Sequence, residues 1–139
     1  MRRTDLIMQD HVALAELRYQ IRRFVRFSEE VCRNTGLKPQ QHQLMLTLKG
    51  LPEGTRPSVG DIARRLQIKH HSTVELIDRL AARGYVRRHR READKREVLL
   101  TLPRKGENAL RKLSLQHLAE LRVQGPALVT ALERVTKYE

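Results

Sequence analysis

LQIKHHSTVELIDRLAARGYVRRHRREADKREVLLTLPRKG, residues 66–106, is the stretch that decides the fold. Gln67 to Lys69 read as a tight turn. The spacing of Val74, Ile77 and Leu80 then predicts a helix from about His70 to Arg83 with those three side chains inward. Gly84 stands where a helix C-terminal glycine belongs. Tyr85 to Arg88 and Val98 to Leu102 alternate or run apolar as strands do, and the charged residues between them read as a hairpin tip. Six like charges sit on that hairpin: Arg87, Arg88, Arg90, Arg91, Lys95 and Arg96. Crowded cations repel, which costs stability unless a polyanion neutralises them.

The pattern extends in both directions. Ser58 with Asp61 three residues on is a near match to a capping box, and a short helix follows through Ile62, Ala63 and Leu66. LPEGTRP, residues 51–57, is a loop. Lys38-Pro39 opens an earlier helix with proline at its first position, Leu44, Met45 and Leu48 form its apolar face, and Gly50 closes it. From His11 to Cys32 apolar residues recur at Leu14, Leu17, Ile21, Phe24 and Val31, with Ser28 filling one slot, which predicts one long helix ended by Asn34-Thr35-Gly36. Downstream, Pro103 begins another long helix with Leu110, Leu113, Leu118 and Leu121 on one face. Gly125-Pro126 is expected to break it and leave a short last helix carrying Leu128, Leu132 and Val135. The fold class is therefore mainly α with a small β-hairpin: a winged helix-turn-helix flanked by long amphipathic helices.

The chain has 139 residues, which fits one domain large enough to bury a sizeable core. Its formal net charge of +12 favours a polyanion as partner, nucleic acid or an anionic surface. Two Phe, three Tyr and no Trp leave few platforms for stacking single-stranded bases. One cysteine, Cys32, cannot form an internal disulfide. The opening MRRTDLIMQDHVAL has a basic pair but no apolar core, so no signal peptide is expected, and no run approaches the roughly 18 apolar residues of a spanning helix. A cytoplasmic protein without membrane contact is expected.

Two short helices joined by a tight turn leave the second free to enter a major groove. Lys69 falls at the N-cap of that helix and is a poor cap, so the first backbone N–H groups look outward, where the helix dipole favours a phosphate. Its outward face is expected to offer His70, His71, Ser72, Thr73, Glu75, Asp78, Arg79 and Arg83 to bases and phosphates. An ordinary solvated helix face is the alternative. The hairpin would lie along the duplex, with Arg96 reaching the narrow minor groove and Asp94 holding its guanidinium when DNA is absent. A merely solvated charge run is the alternative there. The DNA-binding set is thus Ser58, Lys69, His70, His71, Ser72, Thr73, Glu75, Arg79, Arg87, Arg88, Arg90, Arg91, Asp94, Lys95 and Arg96.

These residues resemble the MarR family of winged helix-turn-helix transcription regulators. The likeness rests on Ile77-Asp78-Arg79-Leu80 in the second helix, the Gly84 turn, Asp94-Lys95-Arg96 in the hairpin, and Val98-Leu99 with Leu102 and Gly106 beyond. It is most specific between about Ser58 and Gly106. The resemblance implies a homodimer on a pseudo-palindromic double-stranded operator, with residues 37–102 as the DNA-binding core. Residues 10–34 and 103–138 would be dimerisation helices, joined through Leu14, Leu17, Ile21, Leu110, Leu113, Leu121, Leu128, Leu132 and Val135. It also implies a repressor relieved by a signal, either a small aromatic or phenolic effector or a redox change. The chain departs from the family where Leu102-Pro103 replaces a common Leu-Thr, so a changed cap on the same path is expected.

Other chemistries find weaker footing. Cys32, His42, Glu107 and His117 come from elements that could meet, but they form no sequential metal motif. His70 and His71 are adjacent, so on a helix they point about 100° apart and share no ligand face. Cys32 is a candidate sensor, with Arg33 beside it, against the reading of a small core residue. No glycine-rich phosphate loop and no nucleophile–base pair stand out, so neither a cofactor nor an enzyme is expected. A general nucleic-acid-coating or RNA-binding protein fits the charge. The helix-turn-helix favours duplex DNA, because the deep, narrow major groove of A-form RNA would not admit the helix.

Overall fold

The computed structural model describes residues 5–90 and 96–137. Five helices and one hairpin follow in the order α1 (Met8–Thr35), α2 (Pro39–Lys49), α3 (Val59–Leu66), α4 (His70–Ala82), β1 (Arg87–Arg90), β2 (Val98–Thr101) and α5 (Arg104–Thr136). This is the mainly helical winged-helix architecture expected from the sequence. Two compact units make up the chain: Cys32–Leu113, and Met1–Val31 with Ser114–Glu139.

Within Cys32–Leu113, local chemistry sets each boundary. Pro39 takes the first position of α2, and the Gln41 side chain accepts the Lys38 N–H at 3.0 Å. Gln67 ends α3 in the left-handed region at φ 58°, a conformation that costs a non-glycine residue about 1 kcal/mol and makes the turn into α4 tight. Gly84 follows α4 at φ 79°, where the absence of a Cβ removes that cost. The two strands pair antiparallel, Arg87 opposite Thr101 and Arg90 opposite Val98. All four β1 residues are exposed, whereas Leu100 of β2 is buried. The core joins Leu44 and Met45 of α2, Ile62 of α3, Ile77 and Leu80 of α4, Leu100 of β2 and Leu113 of α5. Burying each of these contributes about 1.5–3 kcal/mol. Gly106 lies so near the Tyr85 backbone that a Cβ there would stand 2.1 Å from the Tyr85 carbonyl oxygen. That close approach fixes where α5 begins. The Glu107 N–H reaches the Pro103 carbonyl at 2.9 Å, so the helix starts on the expected path despite the missing threonine.

Two expectations are corrected here. Gly125-Pro126 does not break the helix, since α5 runs unbroken from Arg104 to Thr136 with Pro126 inside it. A proline costs one backbone hydrogen bond and pushes on the preceding turn, but the inward stripe continues through Leu121, Gln124, Leu128, Ala131 and Val135, none of them exposed. Leu110 and Leu113, expected at a dimer interface, are 4% and 0% exposed. They lie in the part of α5 that belongs to Cys32–Leu113, and its own core consumes them.

In the other unit, Ala13, Gln20, His117 and Ala131 are buried. Leu17, Leu121, Leu128 and Val135 are half-buried. Leu14 and Leu132 are about half exposed, and Ile21, Val25, Leu118 and Val129 also show apolar surface.

Candidate nucleic-acid interface

Lys69 holds the N-cap of α4 with an extended backbone, φ −67° and ψ 152°, and no side chain caps the helix. The first turn of α4 thus receives no side-chain acceptor from Lys69. His70 and His71 are exposed and Ser72 is half-buried; Glu75, Asp78, Arg79 and Arg83 are exposed further along. Thr73 is the correction on this helix. It is fully buried, and its hydroxyl donates to the Lys69 carbonyl at 3.0 Å, so it faces the core and offers nothing to a ligand. Arg83 turns away to bond the Gly36 carbonyl at 2.9 Å and to lie over the Tyr85 ring at 5.1 Å, on which Lys105 also sits at 4.5 Å.

Ser58 is half-buried and its hydroxyl is engaged. It accepts the Asp61 N–H at 3.2 Å and donates to the Asp61 carboxylate at 2.8 Å, while Arg64 bonds the other carboxylate oxygen at 2.8 Å. The segment before α3 also forms an edge beside the hairpin. The Leu100 N–H bonds the Pro57 carbonyl at 2.8 Å, and Ser58 bridges to Leu99.

On the hairpin, Arg87, Arg88, His89 and Arg90 are exposed on β1 and Arg96 is exposed before β2. Arg91, Asp94 and Lys95 lie outside the described residues, and with them the expected Asp94–Arg96 pairing. Three contacts were not legible from the sequence. Asp78 of α4 pairs with Arg88 of β1, Arg56 pairs with Glu97 at 3.1 Å, and His89 meets the Thr101 hydroxyl at 2.8 Å. Opposite charges were visible in each ion pair, but their meeting depends on how the hairpin folds back. A cavity of about 360 Å³ opens among Ser58, His70, Val74, Arg88, Arg96 and Glu97. A smaller one of about 220 Å³ brings Gln40, from the start of α2, beside Ser72, Glu75 and Arg79 of α4. Gln40 was missed because neither charge nor periodicity marks it.

The remaining candidates take other roles. Cys32 is fully buried, which removes the exposure a reactive thiol requires and corrects the sensor expectation. His42 is buried, Glu107 pairs with Lys49 at 2.9 Å, and His117 bonds the Ser28 hydroxyl at 2.8 Å between the edges of Phe24 and Phe27. Among the described residues, no group of three or more His, Cys, Asp or Glu side chains is placed to hold a metal ion. No helix among them is long and apolar enough to cross a membrane.

The helix-turn-helix with a basic hairpin packed behind it defines a winged-helix protein. Residues 35–97 match the MarR family model. The fold is shared with solved members at low identity. The AbsC regulator of Streptomyces coelicolor, described as a MarR family transcriptional regulator, is 22% identical with a TM-score of 0.77 over 97% of this chain and 94% of that one. Apo MarR of E. coli is 15% identical at 0.72, over 96% and 100%. A MepR variant of S. aureus, solved with an oligodeoxyribonucleotide bound, is 16% identical at 0.62, over 81% and 78%. No curated protein sequence matches the chain. Over residues 35–97 the chain is thus similar to the MarR family, and it shares its fold with solved MarR-type regulators.

Proposed function

We propose that the chain is a homodimeric, sequence-specific regulator of transcription that binds a pseudo-palindromic double-stranded operator, acts as a repressor, and catalyses nothing. One observation carries the reading: the uncapped, cationic start of α4 and the exposed basic strand β1 belong to one compact unit. The first offers backbone N–H groups and Lys69 to a phosphate. His70, His71, Ser72, Glu75 and Arg79 are the proposed groove-facing set, and Arg87, Arg90 and Arg96 the proposed wing contacts. Arg91, Asp94 and Lys95 join them on the sequence reading alone. The exposed apolar side chains of Leu14, Ile21 and Leu132, with half-buried Leu17, Leu121, Leu128 and Val135, support a helical interface with a second copy. Two copies would set two recognition helices on half-sites about one helical turn apart. A small aromatic effector is the proposed signal. What supports it is a cavity of about 300 Å³ whose lining includes Phe24, Phe27, Leu121 and Leu128 with Arg23 and Gln124.

The test is binding to the DNA upstream of the chain's own gene against a scrambled duplex, across a salt series. The expected preference is about a thousandfold, the low end for specific sites. Arg96→Ala should weaken the preferred duplex about tenfold while the protein stays folded. Equal binding to both duplexes, fading together with salt, would instead indicate a general nucleic-acid coater.

A further inference from the structure

We infer that Asp78 and Glu97 are positioning residues that seat the basic hairpin against the helix-turn-helix, and that Arg88 belongs to this clamp and not to the DNA contacts. The inference rests on the DNA-binding reading above. An acid on a phosphate-facing surface is an electrostatic cost: it repels the very ligand the surrounding arginines attract. Asp78 and Glu97 stand on that surface all the same, and each is matched to an arginine on a different element. Asp78 of α4 pairs with Arg88 of β1; Glu97, at the entrance to β2, pairs with Arg56 from the segment before α3 at 3.1 Å. The two ties thus grip the hairpin once on each arm.

The rest of the hairpin explains why such ties are needed. β2 is anchored by backbone, through the Leu100 N–H to the Pro57 carbonyl and the Ser58–Leu99 bridge, and by the burial of Leu100. β1 carries no buried side chain of its own. It pairs with β2 in a sheet of two strands, and its four residues are all exposed, so no apolar face seats it. The Asp78 carboxylate supplies that seat through the planar guanidinium of Arg88, whose donors suit a carboxylate well. A phosphate at Arg88 would have to share its guanidinium with Asp78.

The experiment compares two readings that predict opposite signs. If Asp78 were only a misplaced charge, Asp78→Asn would tighten binding to every duplex. If it positions the wing, the same change weakens binding to a preferred sequence and spares non-specific binding. An exposed pair is worth a several-fold factor at most. A dimer applies that factor twice, so the expected loss is about tenfold. The probes are a duplex selected by the wild-type protein from a random-sequence pool and a scrambled duplex of equal length. The exchange Asp78→Arg with Arg88→Asp keeps the net charge and the pair, and should recover most of the lost preference. Arg88→Met should leave the salt slope unchanged, whereas loss of a true phosphate contact lowers it by about 0.9 per site. Glu97→Gln, on the other arm, repeats the test should Asp78→Asn melt early, with the same loss of preference expected. Tighter binding of Asp78→Asn to both duplexes, an exchange no better than the single change, or a reduced slope for Arg88→Met would each overturn the clamp. Failure of the wild-type protein to select any sequence would overturn the proposed function itself, before a variant is made.

Discussion

The starts of α3 and α4 face the same problem and solve it differently. Both helices open on an extended residue, and the first N–H groups beyond it have no acceptor within the helix. At α3, Ser58 and Asp61 close the end with a bond in each direction, and Arg64 holds the carboxylate. At α4, Lys69 contributes no side-chain cap, and the exposed His70 and His71 follow. A serine cap is worth about 1 kcal/mol, so the chain forgoes that stabilisation at α4. The difference teaches where a ligand is wanted: an end already satisfied has nothing to give a phosphate, and an open end has both donors and dipole.

The sharpest way to break this comparison is to close the open end. Lys69→Asp installs a good cap and should raise stability by about 0.5–1 kcal/mol in thermal denaturation. The same change should lower affinity for the preferred duplex by about 100-fold at low salt, because each half-site exchanges a cation for an acid. Retained affinity in that variant would remove the start of α4 from the interface. The reverse experiment opens the closed end. Ser58→Ala should cost about 1 kcal/mol, or roughly 3–4 °C in Tm, with DNA affinity of the folded protein changed less than about threefold. A much larger loss of affinity would return Ser58 to the contact set. The smallest effect is expected at Thr73→Val. It removes one hydroxyl bond to the Lys69 carbonyl at a cost of at most about 1 kcal/mol, and the binding isotherm should not move. A measurable change in base preference would contradict the burial of that side chain.

The helices, the turn at Gln67–Lys69, the cap at Ser58 and the hairpin were legible because each follows from a local rule: spacing, capping chemistry, a residue suited to a turn. Thr73 was misplaced by its polarity, although it stands four residues before Ile77 and seven before Leu80, on the buried stripe. Pro126 was read as a stop by local rule, while Gln124 and Ala131 were carrying the stripe across it. Leu110 and Leu113 show a different limit. Periodicity reveals that a face is apolar but not whose core it fills, and these two are spent within the Cys32–Leu113 unit itself. Of the candidate interface, the cationic residues were readable and the acids that hold them were not, because an ion pair between α4 and β1 exists only once the chain has folded back.

The uniform exposure of β1 bears on how faithfully the hairpin keeps its alignment. In most strands alternation acts as a ruler, since slipping by one residue would drive charges into the core and oil into water. Arg87-Arg88-His89-Arg90 contains no such marks: shifted by one, it would present nearly the same surface. Its alignment is inherited from the partner strand, whose Leu100 cannot leave the core, and from salt-sensitive side-chain ties. Shape in this part of the molecule is therefore borrowed from its neighbours, and ionic strength acts on the geometry of the wing as well as on its attraction to a polyanion.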